Sequence, residues 1–178
     1  MAYPSRVESE AFWSCGGPSV DGAVAGAAGV WGVAGEPSVR VVLAENHTSL
    51  RRSLRFVLER DASVLVLAEA GDLATAVRHV GRFRPDVLLF APWLLDASRI
   101  GAVRCLRAQA PGTEIVVLTM HESQAFAKQA LEAGALGFVL KDTADSELPE
   151  AVRLAARGEG YTSPRVSAHV AGVQALNR

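Results

Sequence analysis

Four side chains able to do chemistry stand at the ends of short apolar runs. Glu45 and Asn46 follow VRVVLA, Thr119 closes EIVVLT, and Lys141 follows GFVL. A carboxylate, an amide, a hydroxyl and an ammonium on one edge could pair charge, or hold an anion or small metabolite. A fourth run, VLLFA, ends on Ala91, which offers a methyl group and nothing else. No nucleophile–base pair and no glycine-rich phosphate cradle accompany these residues, so an enzyme is not expected. The two cysteines, Cys15 and Cys105, have no metal-ligand spacing, so neither a metal site nor a cofactor is expected.

These residues meet only if the chain brings several strand ends together. From Ser38 onward, apolar β-branched runs alternate with helical periods. Strands are expected at Val39–Ala44, Ser63–Ala68, Val87–Ala91, Glu114–Met120 and Gly137–Leu140. Between them, Leu50, Leu54, Val57 and Leu58 mark a helix over Ser49–Glu59. Asp72, Ser98 and Ser123 are expected to cap the next three helices, and Gly134 to close the last of these. Asp145 or Ser146 is expected to cap a final helix, with Pro149 in its first turn. Cys105 is read as a small buried hydrophobe of the third helix. Strands without polar alternation are covered on both faces, as in a parallel sheet. The fold class is therefore α/β, a doubly wound five-stranded parallel sheet, whose ligands sit at the carboxyl ends of the strands.

Composition agrees. The 178 residues are 49% hydrophobic and 21% charged, which is globular, and the net charge of -1 provides no basic excess for nucleic acid. Residues 1–37 are rich in Gly, Ala, Ser and Pro and read as a flexible tail, with Trp13 and Trp31 as incidental hydrophobes or partner anchors. Its most apolar stretch, GAVAGAAGVWGVA, is too short and glycine-rich to span a bilayer. A soluble protein of the reducing cytoplasm is the expectation. Residues 38–158 form the expected domain, and 159–178 a linker or a short helix from about Pro164 with Val166, Val170 and Val173 on one side.

The segments VRVVLAENHTSLRRSLRFVLER, AEAGD, RPDVLLF, APGTEIVVLTMHE, ALEAGALGFVLKD and ARGEGYTSP follow one another over roughly residues 38–165. In order and spacing they resemble a response-regulator receiver domain of the NarL/FixJ type. The resemblance implies the CheY-like, flavodoxin-like (βα)5 fold. It also implies phosphoryl transfer to an aspartate ending the third strand, with Mg²⁺ held by that aspartate and an acidic pair. By that resemblance Lys141 is the charge-balancing lysine, Thr119 the switch hydroxyl and Phe138 the switch aromatic. Glu45 and Asn46 stand for the acidic pair, one carboxylate having become an amide. Ala91 stands at the phosphoacceptor position. Asp96 lies too far along the following loop to replace it, and Trp93 is a plug or an exposed contact. His47 is assigned a capping or packing role. Arg51, Arg52 and Arg55 read as a solvated basic face, or more sharply as a docking face.

The implied function is that of an atypical receiver: a pseudo-receiver that signals by protein contact, with a lone Lys141–Glu45 pair in a degenerate pocket. A protein partner or homodimer is expected on the surface bearing Phe126, Lys128, Gln129, Arg153 and Arg157, with no nucleic acid bound by this chain and no membrane. No histidine kinase is identified. The alternatives are the regulatory portion of a transcription factor whose helix-turn-helix is not in this chain, and a small-molecule sensor using the vacated pocket.

Overall fold

The computed structural model describes residues 38–92 and 97–167, with side chains at all but 97–99. The stretch 1–37, Trp93, Asp96, Val170 and Val173 lie outside the described residues, as does the side chain of Ser98. The elements in chain order are β1 (Val39–Ala44), α1 (Thr48–Glu59), β2 (Val64–Ala70), α2 (Leu73–Phe83), β3 (Val87–Phe90) and α3 (Ala97–Gln109). There follow β4 (Glu114–Thr119), α4 (Gln124–Glu132), β5 (Gly137–Leu140), α5 (Ala144–Ala156) and β6 (Tyr161–Thr162).

All strand pairs are parallel, in the order β2-β1-β3-β4-β5-β6. After β1 the chain passes to one neighbour, β2, and then returns to the other side of β1 as β3. The strand order therefore reverses between β1 and β3, which puts Glu45, Asn46 and Ala91 beside the switch point.

Alternate residues of the central strands face opposite ways, and both sets are buried. Val41, Leu43, Val87, Leu89, Val116 and Leu118 share one cluster with Leu54 and Leu58 of α1 and Leu148 and Val152 of α5. Phe90, Ile115, Val117, Phe138 and Leu140 are buried as well. Helix α1 packs on α5, while α2 touches α3 and α3 touches α4. Burial on both faces is why these runs lack polar alternation.

Local chemistry sets several ends. Asp72 accepts from the Thr75 N–H and Ser123 from the Phe126 N–H, both as N-caps. Helix α2 closes on Arg84 in the left-handed region (φ 44), although it is not glycine. The Arg40 guanidinium stabilises that end by donating to the carbonyls of Phe83 and Arg84.

Four expectations are corrected. The sheet has a sixth strand: Tyr161 N–H donates to Leu136 O and Ser163 N–H to Phe138 O, so the open edge of β5 is paired. Helix α5 is capped by neither Asp145 nor Ser146. Thr143 is its N-cap without a side-chain capping bond, because Ala144 is already buried in the core cluster and draws the chain into the helix early. Pro149 consequently lies inside the helix rather than in its first turn. Cys105 is only half-buried, with the Gln109 amide 3.2 Å from its sulfur. Where a linker or a short helix from about Pro164 was the expectation, residues 164–167 are helical, with Val166 buried. No helix among the described residues is long and apolar enough to cross a membrane.

Candidate functional site: a buried carboxylate–lysine pair across the strand ends

Glu45 is held from every side. Its N–H donates to Ala70 O, and Arg51 donates to its carbonyl at 2.6 Å while also bonding Glu69 at 3.1 Å. Its carboxylate is fully buried. Oε1 accepts from the His47 N–H at 2.9 Å and lies 3.1 Å from His47 Nδ1, and Oε2 accepts from Lys141 Nζ at 2.5 Å. Burial pushes the carboxyl pKa up, but the Lys141 ammonium and the His47 N–H outweigh it and hold the group below its ordinary value.

Lys141 reaches Glu45 across the sheet. Two strands, β3 and β4, separate the strands that end beside them. Three inter-strand steps amount to about 14 Å, so both side chains must lean over the intervening strand ends. Beneath that span lie Ala91 and Thr119. Ala91 N–H donates to Ala44 O, and its methyl is buried in the core cluster with Leu118 and Val139. Thr119 is also buried. Its carbonyl accepts from Lys141 N–H at 2.8 Å, and its hydroxyl accepts from His121 N–H at 3.1 Å, which fastens the first turn of the following loop.

The structure thus gathers Glu45, Ala91, Thr119 and Lys141 at one edge. Asn46 is exposed on the loop beyond the ion pair. Phe138 is fully buried on the face of the sheet that carries α4, where Phe126 meets it edge-on at 5.7 Å. Lys128, Gln129 and Arg157 are exposed. Arg153 departs from the expected surface. Its guanidinium bonds Asp61, in the turn before β2, so it faces the α1 side of α5. Among the described residues, no three His, Cys, Asp or Glu side chains are grouped to hold a metal ion.

Sequence reasoning passed over two residues. Ser163 is fully buried: its hydroxyl accepts from Leu140 N–H at 2.9 Å and donates to Glu147. Arg165 bonds both Asp142 and Glu122. Ser163 lies near the end of the GYTSP segment and Arg165 directly after it, where the polar residues have no period to betray either role.

The family profile described as Response regulator receiver domain matches residues 41–153. The chain belongs to this family. Among relatives, this receiver is 35% identical to the transcriptional regulatory protein YxjL of Bacillus subtilis over 68% of this chain and 56% of that one. It is 32% identical to the nitrate/nitrite response regulator protein NarP of Escherichia coli, over 74% of this chain and 61% of the relative. The crystal structure of a LuxR-family two-component response regulator from Aurantimonas sp. superposes with a TM-score of 0.71 at 31% identity. That match covers 78% of this receiver and 99% of the other chain. The receiver therefore spans little more than half the length of the curated relatives it matches. Receiver domains of this family are signalling domains of two-component systems, and the doubly wound reading agrees with the superposition.

Proposed function

We propose that this receiver transmits its signal by shape and protein contact, without aspartyl phosphorylation and without catalysis. The observation that carries the reading is the direct Lys141–Glu45 pair, with the buried Ala91 following β3, one of the two strands between them in the sheet. Where the resemblance places a phosphoacceptor there is a methyl group, which can neither attack phosphorus nor bind a metal. The Mg²⁺ site implied by the family does not fit these residues: both Glu45 oxygens are occupied by His47 and Lys141, Ala91 has no donor atom, and Asn46 is a neutral, exposed amide. The ion pair also speaks against an anion-sensing pocket, since an anion would have to displace a buried carboxylate from its lysine.

The contact surface proposed is that of α4, β5 and α5, where Lys128, Gln129 and Arg157 are exposed. Its partner is a second copy or another cytoplasmic signalling protein. The test is incubation with Mg²⁺ and acetyl phosphate, followed by intact-mass measurement. No phosphoryl adduct is expected, and a stoichiometric adduct overturns the reading. The double variant Ala91→Asp with Asn46→Asp should acquire Mg²⁺ binding and an adduct, and its failure to do so would show the register of the site to be wrong.

A second reading is supported by the relatives. YxjL is named a transcriptional regulatory protein, and the chain spans 56% of its length. In this reading the receiver is the regulatory part of a DNA-binding regulator. Gel-shift measurements on the intact gene product separate the two: specific retention of DNA favours the regulator.

A further inference from the structure

We propose that Arg165 is a latch that fastens the two loops flanking the site to the helical turn that follows β6. Its guanidinium donates through Nη1 to Asp142 and through Nη2 to Glu122. Asp142 directly follows Lys141, and Glu122 stands three residues past Thr119. One cation therefore joins the β4–α4 loop to the β5–α5 loop, beside the two strand ends that carry the hydroxyl and the ammonium. A guanidinium suits this task because its donors form a rigid fork that holds two carboxylates at a fixed separation.

The backbone on which Arg165 rides is seated independently of it. Ser163 is fully buried, with its N–H on Phe138 O and its hydroxyl between Leu140 N–H and Glu147. Its carbonyl accepts from the N–H groups of Val166 and Ser167, starting a helical turn whose Val166 is buried. The segment is thus pinned to β5 from the inside and tied to the loops from the outside.

The two attachments differ in kind. The Ser163 anchor is buried, whereas the side chains of Arg165, Glu122 and Asp142 are 48%, 47% and 44% exposed. Exposed ion pairs are weak and release readily. A shift of the Thr119 loop or of the Lys141 loop removes one arm of the fork and loosens residues 165–167. Displacement at the strand ends is thereby passed to that helical turn. This inference goes beyond the proposed function and stands whether or not the site is ever phosphorylated.

Hydrogen exchange on the full chain tests it. The reporters are His121 N–H, bonded to Thr119 Oγ1, and Ser167 N–H, bonded to Ser163 O. Arg165→Gln should speed exchange at both by about threefold to tenfold while leaving Val64 N–H, remote in β2, unchanged. Thr119→Val should speed exchange at Ser167 in the native background and not in the Arg165→Gln background. Equal factors in the two backgrounds, or a Ser167 amide indifferent to Arg165→Gln, overturn the latch. Glu122→Gln, which cuts one arm without entering the core, should also quicken Ser167, and no change there overturns it too. Arg165→Lys keeps the charge but loses the fork, so it should behave as Arg165→Gln; native-like coupling with lysine overturns the role of the fork.

Discussion

Lys141 Nζ meets the buried Glu45 carboxylate at 2.5 Å although two whole strands lie between the strands that end beside them. The pair satisfies two charges that would otherwise be isolated at the edge of an apolar core, with Glu45 0% and Lys141 12% exposed at the side chain.

Removing one member strands the other. Lys141→Met should cost on the order of 3 kcal/mol in urea unfolding, because Glu45 keeps its burial and loses its ammonium. Glu45→Met combined with Lys141→Met should recover most of that loss, since two apolar chains of similar length carry no desolvation penalty. A double variant as unstable as the sum of the single ones would show that the pair is not coupled.

The acid limb of stability follows from the same carboxylate. The folded pKa of Glu45 lies below its ordinary value of 4.5, so the folded state holds its proton less tightly than the unfolded state. Its contribution is therefore fully present above pH 4.5 and fades as pH falls through the folded value. Asp61 and Glu69, also lowered, fade in the same direction. The difference between native and Glu45→Gln unfolding free energies, measured against pH, should shrink below pH 4.5. A difference independent of pH in that range contradicts the assignment.

Tyr161 works at the opposite end of the scale. Burial first, and then the charge and hydrogen bond of Glu147, push its phenol up to about 12 from 10.0. The neutral phenol is the favoured folded form, so its contribution is complete below pH 10 and is lost as pH rises through about 12. Ultraviolet titration of the folded protein should place one tyrosine near that value. Tyr161→Phe should remove that transition and flatten the alkaline decline.

The β4–β5 contact tolerates no added methyl group. A Cβ on Gly137 would meet the two γ carbons of Val116 at 2.8 and 2.9 Å. Gly137→Ala should therefore cost about 1–3 kcal/mol through overpacking. Val116→Ala in the same chain should relieve part of that cost. Full additivity of the two losses in thermal unfolding would argue against the clash.

The central architecture was legible because its strands are buried on both faces and its helices on one. Val87–Phe90 reads as a strand for the same reason that it is one: neither face reaches water. Asp72 and Ser123 were readable as caps from position alone, whereas the Glu45–Lys141 pair was an expectation only through the family resemblance that puts Ala91 at the phosphoacceptor position. Other features were not legible for definite reasons. Two residues, Tyr161 and Thr162, are too few to show an alternation, so the sixth strand had no signal. Arg153 was expected on the contact surface, and no local pattern reveals that Asp61 waits for it on the α1 side of α5. Ser163 and Arg165 gain their roles from partners in distant elements, which no local pattern encodes.

The partners of the central ion pair are 96 residues apart in the chain. At the ribosome, β1 and its glutamate emerge long before their lysine is made. With synthesis at roughly 5–20 residues per second, that carboxylate waits on the order of 5–20 s for its counter-charge. The sheet centre can therefore settle only after β5 has been translated, and nascent chains halted before Lys141 should remain open to proteases and chaperones.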